Sequence, residues 1–224
     1  MEEILSIPHW VFTVNGRTVT LNAVTLAMSW LVMILLLALG VWTARRPGLV
    51  PSPFQAAVES VIEAFRDLVD ESLGKLGPGY FAFIATLFLF ILVSNWIGVV
   101  PLLQEPTRDL NTTLGLGLIG FVVAHVTALR VKGWKAYVKE YFQPFFFMFP
   151  LNVIGELAKV VSISFRLYGN IMGGAIIIAV VSRLVHYVLI PPFLYAFFGL
   201  FVGTVQAFVF AMLTLTYISV AIQE

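Results

Sequence analysis

Cysteine is absent from the 224-residue chain, which excludes a disulfide framework and thiolate chemistry of either catalytic or metal-binding kind. Charge is scarce. Asp, Glu, Lys and Arg make up 11% of the residues, less than half the share usual in a soluble domain. The 13 basic side chains are set against 12 acidic ones and form no basic stripe, which argues against nucleic acid as a partner. The opening MEEILSIPHW lacks a basic segment running directly into an apolar core, so no cleavable signal peptide is expected. No internal repeat at a fixed period emerges. What is abundant is apolar: 60% of the residues are hydrophobic and the mean hydropathy is +0.97. The expected fold class is therefore an all-α integral membrane protein, a single membrane domain over 1–224 with no metal or cofactor.

Leu21 to Trp42 is a 22-residue apolar run broken only by Asn22, Thr25 and Ser29. About 20 such residues cross the hydrocarbon core, so a membrane helix is expected over 21–43. Arg45, Arg46 and Pro47 close it. Ser52 and Pro53 suit the N-cap and first position of a second helix. Over 53–75, Phe65, Leu68, Val69 and Leu73 share one side while Glu59, Glu63, Asp67, Asp70 and Glu71 take the other, the pattern of an amphipathic helix lying on a membrane surface. Its acidic side is ill suited to anionic lipid and is expected to face water or a partner protein.

Further spans are expected over 80–101, closed by Pro101, and over 113–130, with the polar loop LLQEPTRDLNTT between them. Asn111-Thr112-Thr113 matches a glycosylation sequon but serves equally as a helix-capping turn. Arg130, Lys132, Lys135 and Lys139 follow, then an aromatic stretch from Tyr141 to Phe149 suited to the membrane interface. Two long segments, 150–189 and 192–222, meet at Pro191-Pro192. The first would be ~58 Å long as one helix, against a core ~30 Å thick. It must tilt strongly, kink at Gly169, Gly173 or Gly174, or split in two. With five crossings and one surface helix, the positive-inside rule puts the N-terminus outside and the C-terminus in the cytoplasm. A split segment would move the C-terminus to the other side.

The residue that stands out is Arg166, in the run LNVIGELAKVVSISFRLYGNIMGGAIIIAVV. An arginine cannot shed its proton to escape burial, and a charge at this depth marks a functional site by default. At ~100° per residue, Asn152, Glu156, Lys159, Arg166 and Asn170 fall within roughly 80° of one another, with Gly173 and Gly174 beside them. This wall is expected to line water or to face an anionic partner. Glu156 and Lys159, three residues apart, are also able to pair with each other and snorkel. Arg166 lies ~15 Å further in and cannot, and no acid of this chain stands at its depth, so its carboxylate partner is expected on another subunit. On the last segment Gln206 is the deep polar residue, fit either to glue two helices or to line a channel. His125, five residues from the basic loop, is read as making an interfacial hydrogen bond, with proton relay as the alternative.

The run SFRLYGN at 164–170, with GELAK at 155–159, TVQAFVFAMLTLTYIS at 204–219 and the loop EPTRDLNTT at 105–113, closely resembles subunit a of the rotary F-type ATP synthases. The likeness covers nearly the whole chain in order. It implies a non-catalytic stator subunit of the membrane sector, in a bacterial plasma membrane, beside a ring of c subunits and the b-subunit peripheral stalk. Arg166 would be the family's essential arginine facing the c-ring carboxylates, and Glu156, Lys159, Asn170 and Gln206 would belong to two offset half-channels that conduct H⁺. The chain departs from the pattern where many members carry ionisable groups, nine residues after the arginine and seven before the glutamine. Here those positions are Ala175 and Gly199. The outer half-channel would then use Asp109, Asn111, Arg183 or His186 with water, or the ion would be Na⁺. Two rival classes are a stand-alone secondary transporter binding an anion at Arg166, which predicts repeat symmetry, and a structural adaptor, for which a mid-membrane arginine is an unneeded cost.

Overall fold

The computed structural model describes residues 9–14, 17–44, 53–100, 103–142, 145–184 and 190–223. Arg45, Arg46, Ser52, Pro101 and His186, all used in the sequence argument, lie outside them. The fold is that of an all-α integral membrane protein, with one addition that composition did not predict. Two short strands, β1 (His9–Val14) and β2 (Arg17–Asn22), pair antiparallel, with Val14 opposite Arg17 and His9 opposite Asn22. The Asn15-Gly16 dipeptide between two alternating segments is the sequence signal for such a hairpin.

Asn22 ends β2 and caps the next element. Its Oδ1 accepts from the backbone N–H groups of Val24 and Thr25 at 3.1 and 3.2 Å, satisfying two donors that α1 (Ala23–Ala44) cannot pair internally. Among the described residues of α1 only Val32 is buried, while Trp30 and Leu37 are 61% and 69% exposed, as suits a helix wetted by lipid. α2 (Pro53–Leu73) buries Phe65, Val69 and Leu73 and leaves Glu59, Glu63, Asp67 and Glu71 exposed. It packs on α3 (Gly77–Trp96) and touches α8 (Gly203–Gln223), to which Ser219 Oγ ties it by donating to the Ser72 carbonyl at 2.8 Å.

α4 runs over Leu110–Lys132 and ends at Gly133, where φ is +79° and only glycine is unstrained. A short α5 (Trp134–Tyr141) leads to α6 (Phe149–Leu184), one unbroken helix of 36 residues and ~54 Å. The segment is therefore not split over Phe149–Leu184, and its length is left to be taken up by tilt or a bend at the glycines. The last helix is less regular than its sequence suggests. Pro191 and Pro192 lie inside the first turn of α7 (Ile190–Ala196) and do not form a loop before it, and a π-helical stretch, Phe197–Val202, separates α7 from α8.

Among the described residues five segments are long and apolar enough to cross a membrane: Ala23–Trp42, Glu59–Val99, Leu110–Lys132, Phe146–Leu184 and Pro191–Gln223. α8 is the hub. Its Ala207, Phe210, Ala211, Leu215 and Ile218 meet Ile84, Leu87, Phe88 and Ile91 of α3 and Ile163, Leu167 and Ile171 of α6 in one core. Small residues permit that density. At Gly117 of α4 an added Cβ would collide with Ser164 Oγ of α6, so this glycine sets the α4–α6 approach. Cross-links between elements sort the helix termini. The start of α1 meets the start of α4 through Thr25 and Asp109. At the opposite end α5 is joined to the start of α6 through Asn152 and Tyr141.

Candidate functional site

α6 carries the polar wall. Near its start Lys159 Nζ donates to Glu156 Oε1 at 2.6 Å, so the local pair anticipated from the i,i+3 spacing forms. Arg166 lies halfway along the helix, is exposed, and has no hydrogen bond or ion pair among the described residues. Leu167, its neighbour in the chain, is 0% exposed, so α6 turns its apolar side inward and holds the guanidinium away from the bundle. One turn on, Asn170 Nδ2 donates to Gln206 Oε1 of α8 at 2.7 Å. Gln206 is 4% exposed and its Nε2 has no partner, an unfilled donor in a place where leaving one is costly.

Between α4, α5, α6 and α8 lies a cavity of about 1080 Å³, walled by Glu156, Lys159, His125, Tyr137, Tyr141 and Tyr217 among others. Along α6 it extends from Leu151 to Ile163, one turn short of Arg166. The polar groups around it are connected. Tyr137 and Tyr141 share a hydroxyl hydrogen bond of 2.8 Å, Tyr141 OH lies 3.2 Å from His125 Nε2, and that nitrogen is 4.0 Å from Glu156 Oε2. Burial raises both phenols above the usual tyrosine range, because the desolvated phenolate is disfavoured. Lys159 also lies 5.8 Å from the Tyr217 ring centre, a cation–π distance.

On the far side of Arg166 the polar groups are tied into structure. Asn95 is fully buried, accepts from Thr107 Oγ1 at 2.7 Å and donates to the Gly203 carbonyl at 2.9 Å. Trp96 Nε1 donates to Thr204 Oγ1 at 2.9 Å. Asp109 caps α4, accepting from Asn111 N at 2.9 Å, and takes Thr25 Oγ1 of α1 at 3.3 Å. Asn111 and Arg183 are exposed. The structure thus brings Asn170 and Gln206 together, and Glu156 with Lys159, while Asp109, Asn111 and Arg183 stand apart from them. Asn95, Thr107, Tyr137 and Tyr141 stand among these polar groups without having been expected there. Asn95 could have been found as the lone amide in the apolar run FAFIATLFLFILVSNWIGVV, but Tyr141 opens a stretch that reads simply as interfacial aromatics and Tyr137 sits among the basic residues Lys135 and Lys139.

Gly199 has a structural reason. Within the π-helical stretch, a Cβ there would collide with Val99 Cγ2, so the backbone of the last helix presses on the turn that follows α3. The sequence profile described as ATP synthase A chain matches residues 26–219. ATP synthase subunit a of Moorella thermoacetica is 39% identical over 196 residues, 87% of this chain and 88% of its own length. The sodium ion specific subunit a of Propionigenium modestum is 37% identical over 226 residues, 94% of this chain and 77% of its own. That of Legionella pneumophila is 33% identical over 216 residues, 96% and 92%. With these matches running through the arginine helix and the glutamine helix alike, the chain belongs to the ATP synthase subunit a family.

Proposed function

We propose that the chain is the non-catalytic, ion-conducting stator subunit of a bacterial rotary ATP synthase, passing H⁺ through two half-channels that end on either side of Arg166. The observation that carries this is an outward-facing arginine without a partner, halfway along a membrane helix. Such a charge is affordable only against an anion or water. The anion would be a carboxylate on each member of a c ring moving past the α6 face. Next to Arg166 that carboxylate has its pKa lowered and gives up its ion. It then reloads from the other half-channel, and the fixed positive charge bars cations from leaking directly between the two.

The 1080 Å³ cavity supplies the inner half-channel, with Glu156 and Lys159 at its mouth. Asn170 and Gln206 border the outer one, with Asp109, Asn111, Arg183 and His186 as candidates further out. Arg130, Lys132, Lys135 and Lys139 all belong to the cavity end of the bundle, so the positive-inside rule makes that end cytoplasmic, with the N-terminus outside and the C-terminus inside. The amphipathic α2 would lie at the surface on the same side, and the b-subunit stalk is a further partner. Each elementary charge crossing is worth ~2.3 kcal/mol per 100 mV, so several per turn drive one ATP synthesis.

A second version of the same function passes Na⁺. It is favoured by the absence of ionisable side chains at Ala175 and Gly199 and by likeness to a relative named as sodium ion specific. The deciding experiment is ATP-driven ion pumping by the reconstituted complex, wild type against Arg166→Ala, with and without Na⁺. Loss of coupled pumping with surviving ATP hydrolysis supports the gate, and the Na⁺ dependence names the ion. Normal pumping by the variant refutes it, and transport by the isolated subunit would support a secondary transporter.

A further inference from the structure

We propose that Tyr137, Tyr141 and His125 form a hydroxyl–imidazole relay that carries protons between water at α5 and Glu156 in the cavity, so that α5 is part of the conduction path. The relay presupposes the proton-conducting function proposed above. The three side chains stand in line from α5 to α4 and on to α6, with steps of 2.8, 3.2 and 4.0 Å, and all line the same cavity. The line is held from several directions. Asn152 Nδ2 donates to the Tyr141 carbonyl at 2.9 Å and ties α5 to α6. Lys132 pairs with Glu140 at 2.9 Å and ties α5 to α4. The Phe121 ring lies 3.8 Å from the imidazole and restricts its rotation.

The charged and titratable groups around His125 leave one route. Lys159 occupies Glu156 Oε1, so Oε2 is the oxygen nearest the imidazole. Glu140 is engaged by Lys132, and Tyr217 of α8 lines the far wall beside Lys159. His125 Nδ1 is buried without a partner, so proton traffic falls on Nε2, which faces both Tyr141 and Glu156. Hydronium at α5 protonates the Tyr137 oxygen, leaving water, as that hydroxyl passes its own proton to Tyr141. Tyr141 in turn passes its proton to Nε2. The imidazolium then releases that proton from the same nitrogen to Glu156 Oε2, after the two close by ~1 Å to hydrogen-bond distance. One proton has moved from hydronium to a carboxylate, each phenol again holds one, and the imidazole is neutral. Burial disfavours the phenolate of either tyrosine, so each passes its proton on only as it receives another. Na⁺ cannot hop along such a line.

The test is ATP-driven proton uptake by the whole complex in proteoliposomes across a range of pH, with Tyr141→Phe, Tyr137→Phe, His125→Ala and Arg166→Ala. When bulk protons are scarce, at alkaline pH, the first three are expected to slow uptake by roughly tenfold while the loss shrinks toward acidic pH. Free imidazole, small enough for the cavity, should restore His125→Ala and leave the wild type unchanged. Wild-type uptake by Tyr141→Phe at every pH overturns the relay, as does a pH-independent loss in His125→Ala that imidazole does not relieve, which would mark a packing role. Wild-type pumping of Na⁺ without proton uptake also overturns it. These outcomes leave the wider function standing if Arg166→Ala is inactive, whereas normal pumping by Arg166→Ala removes the function itself.

Discussion

Asn95 illustrates how one buried amide can hold three elements. Its oxygen takes the Thr107 hydroxyl from the loop before α4 and its nitrogen serves the Gly203 carbonyl at the start of α8. Asn95→Leu would leave the buried Thr107 hydroxyl without its acceptor and remove the amide that ties α3 to the Gly203 carbonyl, at a cost of about 1–3 kcal/mol. The expected result is a lower detergent melting temperature, with Asn95→Ala showing the same direction, and an unchanged melt would show that water replaces the amide. Gly199 supports a second prediction at this scale. Gly199→Glu is expected to destabilise by about 1–3 kcal/mol, since its Cβ meets Val99. Adding Val99→Ala should recover much of that loss. If the single variant melts like wild type, the glycine is not there for packing.

Among the elements, α4 and α6 approach closely because Gly117 opposes Ser164. Gly117→Val would wedge them apart and widen the cavity at its inner end, one turn from Arg166. Overpacking of this kind costs typically 1–3 kcal/mol. The expected functional signature is ion leak: ATP hydrolysis that persists while the pumped gradient falls, measured in proteoliposomes. A tight complex with full pumping would show that the α4–α6 contact does not seal the cavity. The π-helical stretch has a comparable element-level role. It spaces the backbone of the last helix so that Gly199 meets Val99 while Gln206, three residues past the Asn95–Gly203 link, still faces Asn170. The continuous apolar run of Phe197–Val202 gives no hint of it, because π-turns arise from how a helix must register against its neighbours.

At the level of the whole molecule, absence of cysteine makes topology directly measurable. In intact cells a membrane-impermeant thiol reagent should reach Arg108→Cys, and in inside-out vesicles it should reach Lys139→Cys. The reverse pattern would invert the proposed orientation. The sequence was already decisive for much of this. A mean hydropathy of +0.97 and apolar runs of membrane length leave only a bundle of spanning helices, because backbone polar groups in lipid must pair within their own segment. Arg166 was legible for the same reason, being a permanent charge where apolar residues surround it. Glu156, Lys159 and Asn170 followed from helical periodicity, which is a local property of the chain.

Tertiary structure alone decided which of these residues meet. Asn170 and Gln206 are 36 positions apart, and nothing in either helix specifies that their amides pair; that depends on the packing of α8 against α6. Asp109 reads as a channel candidate because a carboxylate in a polar loop is available for many tasks, and only the fold shows that it also caps α4 and accepts from Thr25. His125, Tyr141 and Glu156 come from three helices and converge only because Gly133 turns α5 back across the bundle end. Local chemistry therefore determined the solvent this chain lives in and the charge it could not hide, whereas the contacts that surround that charge depend on long-range packing, which single-segment patterns do not encode.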